Sequence, residues 1–427
     1  MSKKVTVAVV AIGGYGSGYV GTLLTPKYRR LAKIVAGIDP TPERCAHLGE
    51  LKKLKVPIYP TMEKFYAKAR RAPDLVIISS PIQLHAAHAI SALEHGSHVL
   101  CEKPMCATVQ DAEALREARD RSGKFVIIGY QRSFTPGAKA LHRDVRHGLF
   151  GAPKRLRTLC LVPRAKEYYG RNNWAGMQKS PDLSPGLGAG GRWVLDSPAN
   201  NAVAHFLHAM FHTLGGRKNS SALPVEVTAE LYRANDIANF DTCAIRAITA
   251  AGPSGRRSAS GSRGRGVEVL FLASHAVDEK EPCLFRWEFE KAVAESQPDG
   301  GTLVRMKNGR ELHYGGLGGK HIDGKLSEAL RLARAGRTDV TCGIEAAYAQ
   351  TLCINGAQDS MPRIASLKKL RKPVGKGEKR IWVVPGLAET LRECWKKGKL
   401  PSELAVPWAK AGKTIDLTDY RRFPGGR

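Results

Sequence analysis

After a short basic lead the chain opens on Val5 to Ile12, a continuous run of β-branched and small apolar residues with none of the polar alternation of a half-exposed strand. Such a run predicts a parallel strand covered on both faces. The pattern returns at Ala32 to Ile38, Asp74 to Pro81, His98 to Cys101 and Lys124 to Gly129. Between these runs the apolar positions fall at helical spacing over Tyr19 to Leu24, Gln83 to Glu94 and Thr108 to Arg121. Strands alternating with helices predict a doubly wound α/β domain over residues 1–132.

Beyond Arg132 the pattern changes. Lys154 to Val162, Val225 to Arg233, Thr242 to Ala250, Val267 to Ala273 and Leu284 to Glu290 are strand-length runs with alternation and few helices between them. They predict an α+β domain over residues 133–361 built on a mixed, largely antiparallel sheet with one exposed face. Lys325 to Ala335 and Cys342 to Ser360 read as helices. Past Met361 comes a basic extension, 362–427, with a short helix over Pro385 to Lys396, expected to wrap the body or a partner subunit.

Length agrees with this division, since 427 residues exceed one small core. No apolar stretch approaches a membrane span. The first apolar run leads into a glycine turn rather than a small-residue cleavage site, which argues against a secretory signal. Nine cysteines without a CxxC or a zinc-type Cys/His spacing suit reduced thiols in a cytoplasmic protein, with Cys101 and Cys106 read as packing residues. The formal charge of +28 raises the question of nucleic acid. Lysine and arginine are spread over the whole chain, however, and the denser runs, Arg256 to Arg265 and Lys368 to Arg380, interleave no aromatics for base stacking. A generally basic surface is the expectation. The stretch Gly252 to Gly266, rich in Gly, Ser and Arg, reads as a flexible hairpin tip, with an RNA-binding arm as its alternative.

The first strand runs straight into Ala11-Ile12-Gly13-Gly14-Tyr15-Gly16, an AxGxxG variant of the dinucleotide fingerprint. Gly13 would let the backbone approach a pyrophosphate and Gly16 would let the helix pack on the strand. Ala11 departs from the pattern, because a Cβ is tolerated in that turn only at a negative φ. Asp39 ends the second strand at the spacing of a ribose-binding acid, which favours NAD over NADP; its other reading is a turn and cap before Pro40. His85 and His88 share one side of a helix, as a capping or packing pair.

Two further segments carry chemistry. Cys101-Glu102-Lys103-Pro104-Met105 sets a lysine just past a strand end, where crevices form in open α/β sheets, as a proton donor and acceptor. Farther on, Asp196 to Gly216 places Asn201, His205, His208 and His212 on one stripe of an expected helix. Three histidines could hold a metal, but no carboxylate stands among them and no metal is expected. The same helix read as merely packed by its histidines, and capped by Asp196 or Ser197 before Pro198, is the plain alternative. Arg164, Lys166, Tyr168, Tyr169, Arg171, Asn172 and Trp174 form a loop whose donors and aromatic faces suit a polyhydroxylated ring.

Ile78-Ser79-Ser80-Pro81, His85, Ala92 to Gly96, Val99 to Met105 and Gly129-Tyr130-Gln131-Arg132 resemble, in order and spacing, the glucose-fructose oxidoreductase / inositol dehydrogenase / MocA family. The resemblance covers about residues 5–135. It implies NAD in a site made by Ala11, Ile12, Gly13, Gly14, Tyr15, Gly16, Asp39, Ser80, Pro81, His85, Glu102, Lys103 and Gln131. It further implies a carbohydrate-like substrate met by Lys103, Arg132, Asp196, Asn200, Asn201 and His205, and a homo-oligomer formed through the second-domain sheet. Family members carry a DxGxHxxD-like segment whose first Asp and His face the substrate. Counted from Gly190-Gly191, Asn200 takes the histidine position; counted back from Gly215-Gly216, His205 does. His205 is preferred, because an amide cannot transfer a proton near neutral pH. The expected activity is hydride transfer to or from a sugar, cyclitol or related alcohol or ketone. The alternatives are a glycosidase that oxidises its sugar transiently and a nucleotide-sensing regulator on the same scaffold.

Overall fold

The computed structural model describes residues 3–181, 191–250, 266–316 and 322–425. The described residues form two compact units, one drawn from Met1–Cys106, Gln110–Thr135 and Gly318–Ala347, the other from Ala107–Val109, Pro136–Leu317 and Tyr348–Arg427.

In the first unit six strands, β1 (Val5–Val10), β2 (Ala32–Ile38), β3 (Ile58–Tyr59), β4 (Leu75–Ile78), β5 (His98–Cys101) and β6 (Val126–Ile128), make a parallel sheet in the order β3-β2-β1-β4-β5-β6. Val7 to Val10 of β1 and all four residues of β4 are buried, as unbroken apolar runs require when helices cover both faces. β1 pairs with β2 on one side, Val10 opposite Ile38, and with β4 on the other, Val10 opposite Ile78. The chain reverses direction across the sheet at this β1/β4 pair, so the crevice at the strands' carboxyl ends opens there. The first helix runs from Tyr15 to Leu24, starting four residues earlier than its apolar spacing suggests, because the glycine turn is short. The helix Asp323–Ala335, remote in sequence, belongs to this unit and brings Lys325 into it.

The second unit holds β7 (Pro153–Leu161), β8 (Pro224–Arg233), β9 (Thr242–Thr249), β10 (Glu268–Ser274), β11 (Leu284–Phe289), β12 (Ala292–Ser296), β13 (Thr302–Met306), β14 (Glu311–Tyr314), β15 (Ala365–Ser366), β16 (Lys372–Val374), β17 (Ile381–Val383) and β18 (Ile415–Asp416). Its main sheet runs β14-β13-β12-β11-β7-β10-β9-β8-β15, with β18 also on β8. Only the β7–β10 and β15–β8 pairs are parallel. β10 is buried along nearly its whole length, whereas β11 alternates buried and half-buried residues, as a strand with one open face must.

Several features escaped the pattern reading, among them β3 and the helix Met62–Lys68 of the first unit. β12 to β14 were not expected, although Asp299-Gly300 and Asn308-Gly309 are hairpin turn signals, and both glycines adopt positive φ. A helix covers Pro136–Arg146 and buries Leu141, His142 and Val145. The extension is integral to the second unit, since β15 and β18 extend the sheet and β16 pairs with β17. Of the two basic runs, Arg256 to Arg265 lies outside the described residues, as does the proposed hairpin tip up to residue 265. The second run is built into the unit, with Lys368 and Arg371 on Asp236 and the Arg371 guanidinium 3.7 Å from the Trp382 ring centre.

Candidate functional site

The glycine turn is held from both sides. Asp39, 7% exposed, accepts from the Gly13 N–H at 3.0 Å with Oδ2 and from the Thr41 N–H at 2.8 Å with Oδ1. Asp39 therefore braces both the glycine turn and its own turn, Oδ1 also accepting from the Thr41 hydroxyl at 3.3 Å. Ala11 corrects the expectation of a negative backbone angle, standing at φ 60. Its N–H bonds Ile38 O at 2.7 Å and its carbonyl accepts from Ser79 Oγ at 3.0 Å, contacts that hold a left-handed alanine at a cost of about 1 kcal/mol. A Cβ on Gly16 would lie 1.8 Å from that carbonyl oxygen, so only glycine lets the helix sit so close to the strand.

These residues fit a dinucleotide. Gly14, at φ 50, has nothing within 4 Å of where a side chain would start, which leaves the backbone of the turn open to an approaching group. The helix Tyr15–Leu24 has no acidic residue in its first turn and no side-chain cap, so its positive dipole end is available to a pyrophosphate. Ile12 is buried and its carbonyl accepts from Ser17 Oγ at 3.1 Å.

Along the same sheet edge, the Ser80-Pro81 turn after β4 is tied to the Lys103-Pro104 turn after β5 by His85. Its Nε2 lies 2.7 Å from Ser80 O and its Nδ1 2.7 Å from Pro104 O. Burial, first, pulls the His85 pKa below the usual histidine range; the neutral ring carries one N–H, so one of the two contacts is the donated bond. His88 meets Ser80 Oγ at 3.0 Å, so the two histidines latch this turn.

Glu102 lies at the centre of the strongest electrostatic feature in this unit. Its buried carboxylate accepts from the Tyr19 hydroxyl at 2.7 Å, from the Lys103 N–H at 3.2 Å and from the Lys325 ammonium. Burial alone pushes its pKa up; Lys325 first, then Tyr19 and Lys103, outweigh this and hold it below the carboxylate norm. Lys325 is 1% exposed and also reaches the Tyr15 hydroxyl at 3.3 Å. Tyr15 in turn donates to Gln131 Oε1 at 3.4 Å, and Gln131 and Arg132 open the 3-10 turn Gln131–Phe134. Lys325 was missed in the sequence because nothing local marks it. It reads there as one more lysine near a helix start.

The second unit gathers a different set. Asp196 is buried, and its carboxylate accepts from Gly176 N–H at 2.6 Å and Asn201 Nδ2 at 2.7 Å, with an Arg171 nitrogen at 3.8 Å. Arg171 and Arg164 lie over the Tyr168 ring at 3.7 and 4.6 Å, and Tyr169 bonds His275 Nδ1 at 3.1 Å. The donor and aromatic loop and Asp196 thus come together. Lys166, Tyr169, Asn235, Asp236, Arg380 and Trp382 help line a neighbouring cavity of about 260 Å³. Asn200 is spent on its own chain: Nδ2 donates to the Val194 and Leu195 carbonyls and Oδ1 accepts from Gln350. Gly190, one anchor of that register, lies outside the described residues.

The single histidine stripe is corrected. Pro198–Ala202 form a π turn capped by Ser197, Val203 at φ −123 breaks the path, and the α-helix starts at Ala204, so Asn201 is out of step with His205. His205 is half-buried, while His208 and His212 are buried and stack at 5.2 Å. His142 joins them 4.3 Å from His212 and meets Gly215 O at 3.1 Å, forming a packed histidine cluster. Among the described residues no group of three His, Cys, Asp or Glu could hold a metal ion.

Burial, and next the His212 charge, pull the His142 pKa down to about 3 from 6.5. The folded value lies below the unfolded one, so the unfolded chain takes up a proton that the folded chain refuses as pH falls below 6.5. Stability is therefore full above that pH and is lost toward pH 3. Thermal unfolding of the wild type is expected to shift to lower temperature across this window, and His142→Gln to flatten the dependence. An unchanged slope in the variant would remove His142 from the account.

Comparison with known proteins bears on both units. Residues 5–130 match the family model described as "Oxidoreductase family, NAD-binding Rossmann fold". An inositol 2-dehydrogenase of Burkholderia cenocepacia is 29% identical over 153 residues, 35% of this chain and 44% of that protein. A D-glucoside 3-dehydrogenase of Escherichia coli is 33% identical over 79 residues, 18% of this chain and 22% of that protein. A 2,7-anhydro-N-acetylneuraminate hydratase of Mediterraneibacter gnavus is 28% identical over 149 residues, 35% and 37% of the two chains. The chain thus spans less than half the length of the curated relatives it matches. In fold the likeness is longer: the WlbA dehydrogenase of Bordetella pertussis, solved with NADH and UDP-GlcNAcA, superposes with a TM-score of 0.63 at 16% identity over 84% of this chain and 97% of that one. An Agrobacterium radiobacter oxidoreductase solved with NAD+, L-tartaric acid and magnesium gives 0.62 at 14% identity, over 84% and 97%. No helix among the described residues is long and apolar enough to cross a membrane. In strand order, glycine turn and Glu102-Lys103-Pro104 turn, residues 5–130 match the Gfo/Idh/MocA oxidoreductase family model and carry the NAD-binding Rossmann fold it describes.

Proposed function

We propose that the chain is an NAD(H)-dependent oxidoreductase acting on a CH–OH group, or the matching ketone, of a carbohydrate-like substrate. One observation carries the reading: an open, dipole-faced glycine turn and the Glu102-Lys103 turn lie at the carboxyl ends of one parallel sheet, on β1 and β5, separated by β4. The bound nicotinamide supplies or accepts the hydride. The turn backbone at Gly13 and Gly14 and the helix end at Tyr15 receive the pyrophosphate, and Asp39 receives the ribose hydroxyls. Lys103 takes or gives the hydroxyl proton, a role that needs an amine able to lose its proton near working pH. His205 serves as a second acid–base group and Asp196 with Asn201 as orienting groups; the commitment of Asn200 to Val194, Leu195 and Gln350 favours His205 over it. Arg132, and the Arg164, Tyr168 and Arg171 stack, suit hydroxyl and ring-face contacts.

The test is to follow NADH absorbance over a panel of sugars, inositols and uronates, with mass spectrometry of any co-purified nucleotide. Neither nucleotide binding nor turnover anywhere in the panel would end this reading. Asp39 repels a 2′-phosphate, so NADH is expected to bind at least about tenfold more tightly than NADPH. Asp39→Ser should narrow that ratio, because it removes the carboxylate that repels the extra phosphate. A second reading, transient oxidation with no net NADH change, is favoured by the hydratase among the relatives. Product formed without NADH accumulating would select it.

A further inference from the structure

Lys325 is the least expected charge in the molecule. A lysine 1% exposed is rare unless its ammonium is paired, and here it is paired with Glu102, the residue next to Lys103. The helix Asp323–Ala335 delivers it between two aromatic rings, with the ammonium 5.2 Å from the Tyr15 ring centre and 5.3 Å from that of Tyr19. Both faces contribute a cation–π attraction, which adds to the hold on the charge. The Glu102 carboxylate lies against the Gly129 backbone, where an added Cβ would meet it at 2.9 Å, and the Tyr19 hydroxyl bonds it at 2.7 Å.

The titratable groups around this carboxylate are Tyr15 and Tyr19 from the first helix, Cys101 and Lys103 from β5 and its turn, His85 from the helix His85–Glu94, and Lys325. Burial keeps the two tyrosines and the cysteine protonated and His85 neutral. Three charges are left: Glu102, Lys325 and Lys103. The geometry pairs the Glu102 carboxylate with Lys325, and a weakly screened interior makes such a pair strong.

We propose that Lys325 is a positioning residue for Lys103: by claiming Glu102 as its own counter-ion, it fixes the Glu102-Lys103 turn and withholds the carboxylate charge from the Lys103 amine. The consequence is electrostatic. With Glu102 paired to Lys325, Lys103 releases its proton at a lower pH than it would beside an uncompensated carboxylate. The inference rests on Lys103 as the acid–base group, and the experiment separates the two.

In the oxidation direction Lys103 must be deprotonated, so kcat/KM rises with pH along a limb that reports the amine. Lys325→Met is expected to move that limb up by about one pH unit or more, a tenfold loss at any pH on the limb. Lys325→Arg keeps the positive charge and should hold the limb near its wild-type position. The double variant Glu102→Gln/Lys325→Met removes both charges at once and should bring the limb back from where Lys325→Met puts it. A purely structural lysine would lower stability in both methionine variants and move neither limb. If Lys325→Met leaves the limb in place while Lys103→Ala is inactive, the inference fails and the reading of Lys103 stands. If Lys103→Ala still turns over, that reading itself fails. Should Lys325→Met not fold, Lys325→Gln, which keeps a polar contact to Glu102 without the charge, takes its place: a limb raised by about a unit supports the proposal, and one at the wild-type position overturns it.

Discussion

Lys103→Ala is expected to lower kcat by about a thousandfold, the scale on which a positioned acid–base group contributes, while NADH affinity, read by fluorescence titration, changes less than about twofold. The separation follows from how the turn is held. Its backbone is fixed by the Lys103 N–H on Glu102 and packed against the His85 ring at Pro104 O, neither of which involves the lysine side chain. The glycine turn proposed for the pyrophosphate follows β1 and the acid proposed for the ribose follows β2, whereas Lys103 follows β5. Lys103→Arg should not rescue turnover, because a guanidinium does not give up its proton at accessible pH. Retention of a tenth or more of wild-type kcat by the alanine variant would mean that the proton travels by another group.

Gly16→Ala should be the most damaging single methyl group in the first unit. The new Cβ would stand 1.8 Å from Ala11 O, 2.9 Å from Ala11 C and 2.8 Å from Ser79 Oγ. The obstruction is backbone rather than the tip of a flexible side chain, and that backbone is pinned by the Ala11 N–H on Ile38 O. The helix Tyr15–Leu24 must therefore back away from β1, carrying its N-terminal end off the position that suits a pyrophosphate. The expected cost is about 3 kcal/mol of stability, the upper range for overpacking, together with at least tenfold weaker NADH binding. Gly49→Ala is the matched control: it lies in the helix Leu48–Lys53 with nothing within 4 Å of a new Cβ, and should be neutral or slightly stabilising. Equal melting temperatures and NADH affinities for wild type and Gly16→Ala would show that the close approach does not matter.

The two units were legible to different degrees. The first could be read because its strands β1, β4, β5 and β6 are buried parallel strands, and burial on both faces writes itself as an unbroken apolar run, whereas the half-buried two-residue β3 left no such mark. Its chemistry is written locally too, at strand ends where Gly13 to Gly16, Asp39 and Glu102-Lys103 follow within a few residues. The second unit mixes central strands such as β10 with one-sided strands such as β11, and the short β12 to β14 carry too few apolar positions to stand out. Their turn signals at Asp299-Gly300 and Asn308-Gly309 were the better evidence. The stripe of Asn201, His205, His208 and His212 failed because helical spacing was carried through a π turn and the break at Val203, which shift the register.

By itself the sequence determined the alternating α/β domain, the change to a sheet-rich second part, the glycine turn with its acid, and the lysine past β5. All of these are short-range patterns, set by which residues can lie in a buried strand, a tight turn or a helix start. Only the tertiary structure decided what surrounds that lysine. Lys325 is 223 residues from Glu102 along the chain and reaches it because an otherwise ordinary helix packs there. It likewise decided that Ala11 bears a left-handed backbone and that Asp39 braces Gly13. Each depends on a contact across the fold, where the free energy of a buried charge or a strained angle is set by neighbours that no local spacing records.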